Sequence, residues 1–260
     1  MRMLVRVATA AALSAVVAVP ASAQFWRADI GINGGGTWWS NLMSSGDDVF
    51  DVNGNQQALG ESLHFGDRIG WITGAQATLW ITNRFGIRAN ATYSDAPLEI
   101  TSGRISDDIN LWSGSGDLLY RFVRGPHEEW QGFEVLPYIA AGAGAKWINP
   151  AGHGANCFDS GAVGDSESCL PFLVDLDGVT PGILALNKST RFMGLIGLGT
   201  DLRFARHWSA RIEVDDRIYK PEIFAFDNCV GAPPFDCIDR FDGNVSKTVH
   251  EVSATAGIHY

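Results

Sequence analysis

The final stretch of the chain, KTVHEVSATAGIHY at 247–260, constrains the fold more than any other feature. From Val252 onward every second residue is apolar: Val252, Ala254, Ala256, Ile258 and Tyr260. The alternate positions hold Glu251, Ser253, Thr255, Gly257 and His259. Successive strand side chains point to opposite faces, so a period of two means a strand with one apolar and one polar side. It ends on an aromatic. Such a strand closes either a barrel whose apolar face meets lipid or a water-soluble barrel whose apolar face turns inward. The alternation alone leaves both open, and the rest of the chain must say which solvent the apolar face meets.

The amino terminus reads as an export signal over 1–23, followed by a single domain over 24–260. Arg2 and Arg6 precede an apolar run at 7–19, and Ala21-Ser22-Ala23 is a small-residue cleavage site. The run is short for a membrane-spanning helix, and no later segment approaches ~18 consecutive apolar residues. A barrel is not subject to that test. The whole chain carries 19 Lys and Arg against 29 Asp and Glu, net −10, and loss of Arg2 and Arg6 makes it more acidic still. That balance argues against nucleic acid as a partner. The acids gather between expected strands (Asp47, Asp48, Asp107, Asp108, Asp159, Asp165 and others), which reads as solvated loops, with divalent-cation binding as a secondary reading. Four cysteines are an even count in an exported protein. Of the three pairings, the two local ones, Cys157 with Cys169 and Cys229 with Cys237, are favoured as loop staples. Neither pair has CxxC spacing or a His partner, so zinc is not expected.

Period-two segments bounded by turn residues predict eight strands, at 25–37, 67–81, 84–93, 110–122, 134–147, 190–204, 209–219 and the closing one. The third is the cleanest: Phe85, Ile87, Ala89, Ala91 and Tyr93 oppose Arg88, Asn90 and Thr92. The fifth, PYIAAGAGAKW, is apolar on both sides and leaves its orientation open. A hairpin within 148–189 (170–174 and 183–187) would raise the count to ten. The connections alternate: long at 38–66, 94–109, 148–189 and 220–246, short at 82–83, 123–133 and 205–208. Short turns at one end and long loops at the other are the asymmetry of an outer-membrane barrel with short periplasmic turns and long extracellular loops.

The polar faces collect Arg27, Arg68, Arg88, Arg121, Arg191, Arg203, Arg211 and Arg217. They also collect Asp29, Asp117, Asp201, Glu213, Asp215 and Glu251. Opposite charges on successive strands can neutralise one another across a closed interior, where an isolated charge would cost several kcal/mol. Aromatics near strand ends (Trp26, Trp38, Trp39, Trp80, Phe85, Tyr93, Trp130, Trp147, Phe204, Trp208, Tyr219) form candidate interfacial girdles. With the export signal, Pro137-Tyr138-Ile139 before Gly142-x-Gly144, Arg211-x-Glu213-x-Asp215-Asp216 and the closing 252–260, the chain resembles the outer-membrane β-barrel domain family of OmpA-like and OmpX-like eight-stranded barrels. The resemblance implies an all-β, transmembrane, antiparallel up-and-down barrel in a Gram-negative-type envelope. It implies Tyr260 as the carboxyl-terminal aromatic read by the barrel-assembly machinery, although the family more often ends in Phe.

An eight-stranded barrel is narrow, and its side chains fill it. The expected role is therefore structural or surface-interacting, as a monomer in the lipid bilayer, with a plugged interior and disulfide-stapled loops meeting a surface partner. No enzyme activity and no cofactor are expected. The alternative is a soluble secreted barrel binding a small apolar ligand. A third reading is a lipid-modifying enzyme, since His207-Trp208-Ser209 resembles the His-x-Ser of lipid A deacylase barrels, but it falls in a periplasmic turn. Asp51-x-Asn53-x-Asn55 resembles the start of a calcium loop, yet Gln56 and Ser62 stand where Gly and Glu are needed. The Gly runs at 34–36 and 142–144 lack the helix and Lys of a nucleotide loop.

Overall fold

The computed structural model describes residues 27–44, 48–50, 56–58, 62–65, 70–100, 103–125, 132–150, 169–176, 180–230, 236–240 and 246–260. Among them run fifteen strands and no helix: β1 (Arg27–Trp39), β2 (Asp48–Phe50), β3 (Gln56–Ala58), β4 (Leu63–Phe65), β5 (Gly70–Trp80), β6 (Phe85–Ile100), β7 (Gly103–Arg121), β8 (Glu134–Pro150), β9 (Cys169–Leu176), β10 (Thr180–Asn187), β11 (Ser189–Arg203), β12 (Ser209–Tyr219), β13 (Ile223–Val230), β14 (Asp236–Arg240) and β15 (Val249–His259). Eight of them, β1, β5, β6, β7, β8, β11, β12 and β15, pair antiparallel in chain order, and β15 returns to β1. The sheet has no free edge, so every strand's backbone groups are satisfied without water.

The register fixes the barrel's shape. A path of paired residues from Thr190 through Trp147, Trp112, Tyr93, Thr73, Gly34, Ala256 and Ile212 returns to β11 at Thr200, ten residues further on. Ten steps of ~3.3 Å over eight strand spacings of ~4.8 Å give a tilt of about 40°. At that tilt the ten residue steps from Trp112 to Phe122 on the outer wall rise about 25 Å, the height of a lipid-facing band. Trp38, Trp71, Trp112, Trp147 and Phe192 are exposed at its upper margin, and Phe85, Phe122, Phe133, Phe204, Trp208 and Tyr260 at its lower one. Between them Ile32, Ile87, Leu118, Ile196, Leu198, Ile212 and Val214 face outward, exposed, while the charges face inward. That is the reverse of a water-soluble barrel.

At the upper margin the pattern inverts. On β6 the inward series Arg88, Asn90, Thr92, Ser94 continues as Ala96 and Leu98. On β7, Asp117 and Ser113 give way to Leu111 and Ile109, on β8 Lys146 to Ile148, and on β15 Glu251 to Val249. The outward residues change the other way: Tyr93 to Asp95, Trp112 to Asn110, Trp147 to Asn149, Val252 to His250. Each strand thus changes its burial code where the surrounding solvent changes from lipid to water. The inward apolar residues above this line join Leu42, Met43, Leu63, Phe65, Leu186, Met193, Tyr219 and Ile223 in one buried cluster, with Trp39 packed against it.

Several expectations change here. The connection at 94–109 is not a long loop: β6 and β7 continue upward and pair from Ala96 with Ile109 to Ile100 with Gly103, with register shifts around Leu98. Pro97 and the acids Asp95, Glu99, Asp107 and Asp108 lie within these two strands. The hairpin expected within 148–189 forms as β9 and β10, but it does not widen the barrel. It joins β13 and β14 in a separate sheet ordered β14-β13-β10-β9 above the β11–β12 wall. Trp39, Trp80 and Tyr219 are not girdle residues, because their parity turns them inward. Trp26 and Trp130 lie outside the described residues. β8 is oriented by Tyr138, Ala140 and Lys146, all buried in the lumen, with Val135 and Trp147 exposed outside.

Candidate functional site in the barrel lumen

Alternation carries polar residues of eight strands to one narrow axis, so their spacing is set by register rather than by local sequence. Among the described residues the lumen buries six cations (Arg88, Arg121, Lys146, Arg203, Arg211, Arg217) with six carboxylates (Asp29, Asp117, Asp201, Glu213, Asp215, Glu251). The equality matters, because an unpaired charge in so dry a site would cost several kcal/mol.

Near the periplasmic end, Arg121 donates to Asp201 at 2.7 Å and lies 3.3 Å over the Trp80 ring. The Trp80 indole N–H donates to Asp29 at 2.8 Å, and Arg27 reaches the other Asp29 oxygen at 3.1 Å. Arg203 meets Glu134 at 3.2 Å and donates to the Arg206 carbonyl at 2.8 Å, which pins the 204–208 turn. At mid-height Arg88 is the hub. Its Nε donates to Asp117 at 2.8 Å, and its terminal nitrogens clasp Glu213 at 2.5 and 2.8 Å and reach Gln76 at 3.2 Å. Tyr138 donates its hydroxyl to Glu213. Arg211 donates to Asp201 at 2.6 Å, Thr78 at 3.1 Å and Gln76 at 3.3 Å, and Gln76 also bonds His259 at 2.9 Å. Higher up, Lys146 and Arg217 share Glu251 at 2.5 and 3.1 Å, and Asp215 takes Arg217 at 3.1 Å and the Ser253 hydroxyl at 2.9 Å. The apolar cluster lies directly above this layer.

Glycine makes room for the network. A Cβ on Gly142 would lie 2.2 Å from Asp117 Oδ1, and one on Gly199 2.4 Å from the Tyr138 hydroxyl. These inward glycines leave space for the larger polar side chains of the neighbouring strand.

Of the residues read from the sequence, Asp29, Arg88, Asp117, Arg121, Asp201, Arg203, Arg211, Glu213, Asp215, Arg217 and Glu251 meet in the lumen. Arg27 lies at its periplasmic edge. Arg191 lies at the opposite rim, partly exposed and paired with Glu222 rather than joined to the network. Arg68 is outside the described residues, as are Cys157 and the 51–55 segment. Lys146, Glu134, Tyr138 and Trp80 were missed. Lys146 had a usable signal: it shares parity with Tyr138, and a lone charge on a Gly/Ala-rich strand is expensive anywhere but inside. His207 is exposed in its turn whereas Ser209 is buried, so the two do not share a face. The β13–β14 register sets Cys229 opposite Cys237.

A family model described as outer membrane protein beta-barrel domain matches residues 8–253. No curated protein matches the chain. Among solved structures it is similar to the outer membrane protein OprG of Pseudomonas aeruginosa, at 15% identity and a TM-score of 0.49, covering 92% of this chain and 98% of that one. It is also similar to Neisserial surface protein A, at 12% and 0.42, covering 90% and 97%. A third is the outer membrane protease OmpT from Escherichia coli, at 9% and 0.39, covering 93% and 98%. With a family match over nearly its whole length, the chain belongs to the outer membrane protein beta-barrel domain family and is a protein of the outer membrane.

Proposed function

We propose that this barrel is a closed, structural and surface-interacting protein rather than a channel or an enzyme. The observation that carries the reading is the balanced charge network with the apolar cluster stacked on it. Together they give the lumen two successive barriers: one in which every ion would have to displace a buried ion pair, and one lined mainly by apolar side chains that do not replace its hydration. The working surface is then the extracellular part, where β9, β10, β13 and β14 stand above the rim. Cys229–Cys237 and Cys157–Cys169 disulfides would staple it against a surface partner.

Residues 1–23 act as the export signal and the mature domain begins at 24. Tyr260 serves as the signal for the barrel-assembly machinery. Its backbone pairs with Ile30 at 2.9 and 3.0 Å, so the last residue helps close the β15–β1 seam. The protein works as a monomer. Planar-bilayer recording tests the reading: the wild type should give no resolvable unitary steps in 1 M KCl. Steady open conductance from the wild type would refute the closed lumen.

A further inference from the structure

The seam between β15 and β1 does not run to the foot of the barrel. Its last pair is Tyr260 with Ile30, which exchange both main-chain hydrogen bonds, at 2.9 and 3.0 Å. β1 goes on to Ala28 and Arg27, which pair on the other side with Leu79 and Trp80 of β5. In an antiparallel ladder every second residue repeats the same exchange, so the N–H and C=O of Ala28 point across the seam like those of Ile30. Among the described residues no backbone group meets them there. On the far side of β15, β12 begins at Ser209 opposite His259, and the 204–208 turn lies below it. A notch is left between the foot of β1 and that turn, with the end of β15 as its roof.

The notch is a cavity of about 330 Å³ with mostly basic walls. Arg27 and Asp29 line it from β1, Arg203 from β11, and Arg206 and His207 from the turn. Guanidiniums stay charged at every physiological pH. Arg203 reaches Glu134 at 3.2 Å and the Arg206 carbonyl at 2.8 Å, and the second bond holds the turn at the cavity wall. Arg27 donates its Nε to Asp29 at 3.1 Å. The Arg206 side chain is exposed and pairs with no described acid. The opposing groups in the lining are Asp29 and the main chain of Tyr260, one oxygen of which is held by the Ile30 N–H. An open strand edge flanked by arginines suits an extended acidic segment. Strand addition takes affinity from main-chain bonds and specificity from alternate side chains. A residue set opposite Ala28 would share its outward parity, and its neighbours would turn inward as Arg27 and Asp29 do. An acid opposite Arg27 then faces the cavity that Arg27, Arg203 and Arg206 line together.

We propose that this notch accepts a short acidic extended segment of a periplasmic protein, which pairs with β1 at Ala28 and sets its carboxylates against Arg27, Arg203 and Arg206. The site lies across the membrane from the long loops and does not depend on the lumen being closed. The probe is a fluorescent hexapeptide of alternating Glu and Val, acetylated and amidated at its ends, titrated by polarisation against the full-length protein in nanodiscs of neutral lipid. The wild type should bind it about tenfold or more tighter than the matching Lys-Val peptide. Arg206→Gln should weaken it several-fold, whereas Arg124→Gln, the same charge change at another periplasmic turn, should not. Ala28→Pro removes the N–H that faces the notch and none that β5 uses, and should weaken binding with the barrel's heat-modifiable band intact. If that variant fails to fold, the peptide N-methylated at its valines makes the same test from the other side and should bind at least several-fold more weakly. No binding at millimolar peptide, equal binding of the Lys-Val peptide, or an unchanged affinity in Arg206→Gln overturns the site. Undiminished binding of the N-methylated peptide overturns the strand pairing. Full displacement by millimolar acetate would assign the cavity to a free carboxylate and overturn the peptide assignment.

Discussion

Arg88→Ala tests whether the lumen is as dry as its geometry implies. Arg88 donates to Asp117 at 2.8 Å, to both oxygens of Glu213 at 2.5 and 2.8 Å and to Gln76 at 3.2 Å. Truncation removes four hydrogen bonds and leaves two carboxylates buried without their cation. Tyr138 continues to serve Glu213, but Asp117 keeps no comparable partner, its Oδ1 being buried without a hydrogen bond among the described residues. Removing one partner of a buried pair costs about 3–5 kcal/mol, against ~0–1 kcal/mol for an exposed pair. On a total stability of ~5–15 kcal/mol that is a large fraction. The assay is urea unfolding in lipid vesicles, read by tryptophan fluorescence and by heat-modifiable gel mobility. The control is the triple variant Arg88→Leu, Asp117→Asn, Glu213→Gln, which removes the charges together and should recover most of the loss. A single-variant loss below about 1 kcal/mol, or a triple variant no more stable than the single, would mean that water reaches these groups and that the network is not a desolvated core.

Gly142→Ala should destabilise by about 1–3 kcal/mol, because its Cβ would meet Asp117 Oδ1 at 2.2 Å, whereas Gly116→Ala, with nothing within 4 Å, should be near neutral in the same unfolding assay. Leu98→Asp places a charge in the apolar cluster above the girdle. It should open the extracellular extension to protease while the membrane-embedded part keeps its heat-modifiable band, and loss of both together would show that the two layers fold as one. Val214→Arg, outward in the lipid band, should cost about 2–4 kcal/mol in vesicle unfolding, and a neutral result would mean that this wall does not meet lipid.

The barrel walls were legible because lipid outside and charge inside impose opposite demands on alternate residues. Arg211, Glu213, Asp215 and Arg217 announce one face of β12, and Ile212 and Val214 the other. Legibility failed where that contrast vanished. In β8 glycine and alanine occupy both faces, so only Tyr138 and Lys146, on one parity, mark the inward side. Around 94–109 the code inverts: Asp95 turns outward and Ala96 and Leu98 inward, and a reader following the lower pattern sees the strand end. Trp80 looked like a girdle residue by its place near a strand end. Parity and its hydrogen bond to Asp29 put it inside.

From the order of residues alone came the period, the eight strands of the barrel wall and the identity of the charged face. These are local quantities, fixed by the two-residue repeat of an extended chain. The partners were not local. Lys146 finds Glu251 across 105 positions and Arg88 finds Glu213 across 125, through a ten-residue offset accumulated around the closed sheet. No run of sequence encodes that offset, because it belongs to the ring of strands as a whole. The same holds for the apolar cluster, where Leu42 and Met43 from a connection meet Leu98, Ile109 and Val249 only once the barrel has closed beneath them.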